Sequence, residues 1–258
     1  MTKQAQDTKR PKIRLYVPED FSAGHHLILN PGQSHYLAHV MRVETSDSIA
    51  VFNGKQGEWL AAVSAIQKKS VTLHLSKPLA PQKNSPDMWL AFAPIRNKTE
   101  LVVEKAVELG VSALLPVFTG RAVVKSINHE KLVAHAIEAA EQCERHDVPT
   151  ISEHKDLSGL LGSWPKDRTL FYGDENGGGD VLKNLLPQLK SGKYGLLIGP
   201  EGGFSDDEHH MLKAAGFAKA ISLGPRILRA DTAAVAALAC LQAWVGDWEE
   251  QPHYKSAS

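Results

Sequence analysis

The sequence predicts a small β-rich, barrel-like module over residues 1–76, followed by an α/β domain built on a parallel sheet over residues 88–246. Three features predict it. Short strands around a hairpin signal fill the first module, strand and helix patterns alternate through the second, and a polar segment with three prolines at 77–87 reads as the linker between them. With 258 residues, 43% of them hydrophobic, the chain can bury a core in each part.

In the first module, residues 1–11 are polar and are expected to form a disordered tail. Residues 13–17 and 26–29 read as strands, and 33–43 as a helix. Strands over 47–52 and 58–65 flank Asn53-Gly54, a dipeptide that accepts the positive φ values of a tight hairpin. Residues 70–75 alternate as a further strand.

The second domain opens with a strand over 89–93 and a helix over 97–109, where Asn97-Lys98-Thr99-Glu100 has the form of a capping box. A strand at 113–118, a helix at 130–144, a strand at 170–172, a glycine-rich loop at 173–179 and a helix at 181–189 follow; 247–258 reads as a tail. Such alternation implies a parallel sheet with helices on both faces. On the 97–109 helix Glu100, Glu104 and Glu108 recur at i, i+4 beside Lys105, the pattern of a solvated face. His209 and His210 are adjacent, so they point in different directions and do not form a metal pair.

The last two strand-to-helix units carry the chemistry. The apolar runs 194–198 and 218–223 both stop at Gly-Pro, in LLIGPEGGFS (196–205) and LGPRILRADT (223–232). Buried parallel strands deliver their carboxyl ends to a ligand crevice in this way. In the first loop Pro200 removes one amide donor, Gly199, Gly202 and Gly203 let a ligand approach the main chain, and Glu201 places a carboxylate between them. Ser205-Asp-Asp-Glu208 then caps a helix. The second loop holds Arg226 and Arg229 at the mouth of a helix that has no polar residue over 233–241, and an all-round apolar helix is buried in a core or at a subunit contact. Each arginine either pairs with Glu201 or Asp231 or meets an anionic substrate.

These segments resemble the two signatures of the RsmE family, the bacterial 16S ribosomal RNA uridine-N3 methyltransferases of the SPOUT class. The resemblance extends through RLYVPED (14–20), HYLAHVMRV (35–43), FNG (52–54), EKAVELGV (104–111), GRAVVK (120–125) and EQCERHDVP (141–149), in the family's order. Asp231, where a longer Glu is usual, and Cys143, where a small hydroxyl residue is usual, are departures. The resemblance implies a PUA-like RNA-binding module ahead of a SPOUT methyltransferase domain whose loops cross as a trefoil knot. It implies S-adenosylmethionine bound by Gly173, Ile198, Gly199, Pro200, Glu201, Gly202, Gly203, Ser222, Leu223, Gly224, Ile227 and Leu228. Arg229 would stabilise charge on the uracil carbonyls, and Glu201 or Asp231 would accept the N3 proton. Arg14, Arg42, Lys98, Lys105, Arg121, Arg145 and Arg226 are the expected contacts to 16S rRNA or the small ribosomal subunit or, around the site, between subunits. A homodimer that buries the apolar helix is implied as well.

Composition fits without deciding. Lys and Arg match Asp and Glu at 29 each, but residues 1–80 hold ten basic against six acidic side chains, so a basic front module precedes an acidic body. Two distant cysteines suggest neither a disulfide framework nor a zinc site, and no metal is expected. The polar start MTKQAQDTKR lacks a signal-peptide core, and no apolar run reaches spanning length, which predicts a cytoplasmic protein without a membrane partner. A nucleotide-phosphate enzyme is a rival, weakened because both G-x-G-x-x-G and G-x-x-x-x-G-K-[ST] are missing. A non-catalytic RNA-binding protein, and a SPOUT enzyme for another base or for tRNA, also stay open.

Overall fold

The computed structural model describes residues 10–174, 177–190 and 192–251. The expected tails therefore lie largely outside the described residues, as do Glu175 and Asn176 of the glycine-rich loop. The described chain forms two compact units: residues up to Asn84 with Glu144–Asp147, and the remainder.

The first unit is a five-stranded sheet of β1 (Arg14–Tyr16), β2 (His26–Ile28), β3 (Ser48–Phe52), β4 (Glu58–Ile66) and β5 (Val71–Ala80), in the order β1-β3-β4-β5-β2. β1 and β3 pair in parallel; the other neighbours are antiparallel. The inward alternation of Leu15, Val17, Ile49, Val51, Ala61, Val63, Leu73 and Leu75 fills one core. The strand β5 runs through Ala80, so the proline-containing segment expected to be linker from residue 77 starts later. The expected 33–43 helix is a short α1 (Pro31–His35), capped by Asn30, that passes into a π-helical turn over Tyr36–Val40. Both lie outside what hydrophobic spacing reports.

Charge is buried here in a network. Glu58, 1% exposed, accepts from Arg14 Nε at 2.5 Å and Arg10 Nη2 at 2.7 Å, while Arg10 also reaches Glu144 at 2.6 Å. Arg14 lies 4.5 Å over the Phe52 ring and donates to the Arg145 carbonyl at 3.0 Å; Arg145 in turn pairs with Asp147 at 2.9 Å. Arg14 and Arg145, both expected at a nucleic-acid or subunit surface, are each only 7% exposed and serve this network instead. The sequence signal missed is Glu58, whose partner lies 44 residues away.

The second unit is an eight-stranded sheet in the order β11-β13-β10-β12-β6-β7-β8, with β9 also on β7. Its strands are β6 (Met88–Phe92), β7 (Ala113–Phe118), β8 (Thr150–Ile151), β9 (Lys155–Asp156), β10 (Thr169–Gly173), β11 (Asp180–Val181), β12 (Tyr194–Ile198) and β13 (Ala218–Ser222). Every pairing is parallel. The helices are α2 (Thr99–Glu108), α3 (His129–Gln142), α4 (Leu157–Gly162), α5 (Leu182–Leu185), α6 (Asp206–Ala214) and α7 (Ala230–Val245). Asn97 is not the cap of α2: it takes φ +59°, and the Thr99 hydroxyl closes the turn, accepting from Ile95 N at 3.0 Å and donating to Ile95 O at 2.8 Å. The expected 181–189 helix shortens to α5 and a 3-10 turn, Leu186–Gln188, where Pro187 interrupts the α-helical ladder.

The helix α7 packs on α2 and β12 through Ala234, Ala237, Leu238 and Leu241. It is not buried all round: Val235 and Trp244, which lie about half a turn apart and flank the buried stripe, are 38% and 53% exposed. No described helix is long and apolar enough to cross a membrane.

The Glu58 network makes a stability prediction. Burial raises the Glu58 carboxyl, but the bonds from Arg14 and Arg10 outweigh it and hold its pKa below the ordinary value. The stabilisation is therefore complete above about pH 4.3 and falls away as pH drops through the lowered value. Glu58→Gln leaves buried Arg14 without its counter-charge and is expected to cost about 3–5 kcal/mol in urea unfolding at pH 7, with the gap to wild type narrowing in acid.

Candidate functional site

Parallel register assembles the site. Tyr172 pairs with Leu197 and Gly173 with Ile221, so β10, β12 and β13 end at the same level on the carboxyl edge of the sheet. Their loops, with the start of α7, enclose a cleft of about 490 Å3, within the span typical of small-molecule sites. Gly173, Ile198, Gly199, Pro200, Glu201, Gly203, Ser222, Leu223, Gly224, Ile227 and Leu228, all expected around the cofactor, line it. Asp174 of the glycine-rich loop lines it too, as do Ala230 and Ala233, for which the sequence carried no signal.

Gly202 does not. A Cβ there would come within 3.2 Å of the Arg121 Cβ and 3.3 Å of its carbonyl oxygen, so this glycine is spent on the neighbouring loop. Gly203 takes φ +69°, a region that side chains disfavour. At Gly199 an added Cβ would meet the Phe204 ring at 2.9 Å; Phe204, 1% exposed, pins the far side of the loop. The Ser205 capping box forms as the sequence predicts, with the Ser205 hydroxyl accepting from Glu208 N at 3.3 Å and the Glu208 carboxylate from Ser205 N at 2.8 Å.

The charges around the cleft sort into paired and open groups. Asp231 is hydrogen-bonded to Lys98, which with desolvation overcome lowers its pKa; a weaker base results. Lys98 is correspondingly engaged with a carboxylate of the protein. Lys105 binds Glu104 at 2.7 Å and Glu108 at 2.8 Å on the solvated face of α2, and these bonds raise its pKa. By contrast, Arg226, Arg229 and Glu201 line the cleft, are exposed, and make no side-chain hydrogen bond or ion pair among the described residues. The expected internal pairing of either arginine with Glu201 or Asp231 is not formed. Arg121 is exposed, with one long contact to the Gly202 carbonyl at 3.4 Å, and Arg42 is exposed in the first unit at φ +53°.

The arrangement offers main-chain groups and apolar walls to a ligand, with two free guanidiniums and a free carboxylate among its lining. It suits group transfer to an anionic or readily deprotonated acceptor.

Comparison with known proteins agrees. The family profile of the RNA methyltransferase domain matches residues 82–242, and that of the RNA methyltransferase PUA domain matches 29–76. Ribosomal RNA small subunit methyltransferase E of Rickettsia conorii is 32% identical over 207 residues, covering 80% of this chain and 84% of that protein. A methyltransferase from Legionella pneumophila, solved in complex with the bound cofactor SAM, superposes with a TM-score of 0.83 at 32% identity over 93% of this chain and 100% of that one. A ribosomal RNA small subunit methyltransferase E from Neisseria gonorrhoeae bound to S-adenosyl methionine does so at 0.82 and 27%, with the same coverage. The parallel-sheet domain, the separate β-rich unit ahead of it and these matches lead to one conclusion: the chain belongs to the RNA methyltransferase family of ribosomal RNA small subunit methyltransferase E.

Proposed function

We propose that this protein uses S-adenosylmethionine to methylate N3 of a uridine in the 16S rRNA of the small ribosomal subunit, in the cytoplasm and as a homodimer. The observation that carries the reading is the cleft between the two Gly-Pro loops with unpaired Arg229 and Glu201 on its lining.

The residues fit the cofactor. Its adenine and ribose would be held by main-chain groups of 198–201, Gly203 and 222–228, and Leu223, Ile227 and Leu228 supply apolar walls. Ile227 is 97% exposed, a cost for an isoleucine that a bound ligand or a second chain would remove. S-adenosylmethionine supplies a methyl group on a sulfonium, already a strong electrophile, so the protein's task is to place the acceptor and take its proton. The imide N3 becomes nucleophilic when Glu201 accepts that proton, directly or through water. Arg229 stabilises the negative charge that deprotonation leaves on the ring carbonyls. Asp231, bound to Lys98, is the weaker candidate for the base. Among the basic residues expected to meet RNA, Arg226, Arg121 and Arg42 are exposed and without an acidic partner among the described residues, and these would meet phosphates. Because N3 is hidden in a Watson-Crick pair, the target nucleotide is unpaired or flipped out. The loop threading that would make the site a trefoil knot belongs to the same proposal.

The incomplete burial of α7, whose Val235 and Trp244 remain exposed on either flank of its buried stripe, supports the dimer. Light scattering at micromolar concentration is expected to give twice the 28.1 kDa chain mass, and Val235→Glu to shift it toward one chain; a stable wild-type monomer contradicts the dimer.

Arg229→Ala is expected to slow single-turnover methyl transfer at saturating cofactor by about 10²–10³-fold, and Glu201→Gln by about 10²–10⁴-fold. A rate near wild type removes that residue from the chemistry. The function itself is tested by mass spectrometry of rRNA nucleosides from a deletion strain: loss of 3-methyluridine is expected, and its persistence refutes the assignment.

A further inference from the structure

The segment after β7 reaches the cofactor-side loop through one buried carboxylate. Glu208 is 6% exposed, and its two oxygens are divided between two loops: Oε2 accepts from Ser205 N and Oε1 from Gly120 N, each at 2.8 Å. Capping explains the first bond. The second is made to a residue 88 positions earlier, and capping does not need it.

Residues 119–127 have few other anchors. Among the described residues their hydrogen bonds to the rest of the chain are two: Gly120 to Glu208, and Arg121 Nη1 to the Gly202 carbonyl at 3.4 Å. The Thr119 hydroxyl is buried without a hydrogen-bond partner, so it contributes no tie. The loops also touch where Gly202 turns away from the cleft, so that a Cβ there would press on Arg121 at 3.2 Å. Arg121 is thereby set beside the peptide next to Glu201, with its guanidinium exposed and without an acidic partner among the described residues.

We infer that Glu208 is a positioning residue for substrate binding: by clamping the Gly120 amide to the 199–205 loop it holds the Arg121 guanidinium where it contacts an RNA backbone phosphate beside the cleft. The inference rests on the RNA methyltransferase reading above. It assigns one carboxylate two tasks, shaping the cofactor loop and orienting a cation for the nucleic acid.

The sign of the effect separates this from simple electrostatics. Removing a negative charge near a phosphate would by itself tighten RNA binding, whereas loss of the clamp loosens it. In Glu208→Gln only one amide oxygen remains to serve two N–H groups. The test uses the full-length protein and small ribosomal subunits from a deletion strain, with methyl transfer followed at varied RNA and salt. Arg121→Ala is expected to raise KM for the subunit about tenfold and to reduce the slope of log affinity against log salt by about one, as for one lost phosphate contact. Glu208→Gln is expected to do the same although it removes no cation. The double variant is expected to be no worse than Arg121→Ala alone. The affinity of Arg121→Ala for S-adenosylmethionine, by calorimetry, should stay within about twofold of wild type.

Gly202→Ala, which presses on Arg121 without touching Glu208, is the second variant should Glu208→Gln not fold, and is expected to raise KM as well. Wild-type KM and salt slope in Glu208→Gln or, failing that, in Gly202→Ala overturn the inference, as do losses that multiply in the double variant. A wild-type protein that transfers no methyl group overturns the RNA reading itself, and the inference with it.

Discussion

Parallel pairing is the constraint on which the site depends. With β12 and β13 on either side of β10 in one parallel sheet, three successive strand ends stop level with one another, and none of their loops can leave in a different direction. The opposite edge is tied down separately. Arg168, 3% exposed, stacks 3.7 Å over Trp89 and donates to the Asp87 and Tyr194 carbonyls at 3.0 Å, binding the beginnings of β6, β10 and β12 together. Rigidity at one edge leaves the other free to carry loops whose shape is chosen for a ligand.

The basic side chains divide by what burial allows. A guanidinium taken out of water needs a counter-charge, and Arg14 and Arg145 have theirs in Glu58 and Asp147. Lys98 and Lys105 are likewise engaged, by Asp231 and by Glu104 with Glu108. Of the basic residues expected to meet substrate or RNA, Arg229 and Arg226 on the cleft and Arg42 in the first unit are exposed with no side-chain hydrogen bond or ion pair among the described residues, and Arg121 has one long bond to the Gly202 carbonyl. The formal excess of positive charge before residue 80 is smaller in effect than its count, because Arg10 also pairs with Glu144, an acid from outside that stretch.

The glycines of the GPEGGFS loop are not interchangeable. Gly203 provides a backbone conformation, Gly199 makes room for Phe204, and Gly202 makes room for a different loop altogether. A segment that reads as a single ligand-binding device thus faces three neighbours, and only part of it faces the cleft.

Local patterns determined much of this protein from its residues alone. The strands 113–118 and 194–198 and the Ser205 capping box each depend on a few consecutive side chains, and the structure reproduces them. The paired Gly-Pro loops suggested a shared crevice because parallel strands leave little choice of direction. Tertiary structure decided whatever joins residues far apart in the chain. Glu58 claims Arg14 across 44 positions, Asp231 claims Lys98 across 133, and Glu208 reaches Gly120 across 88. Whether a charged side chain is a ligand for something outside or a partner for something inside depends on which opposite charge folding brings within hydrogen-bond distance, and no periodicity or spacing in the sequence encodes that distance.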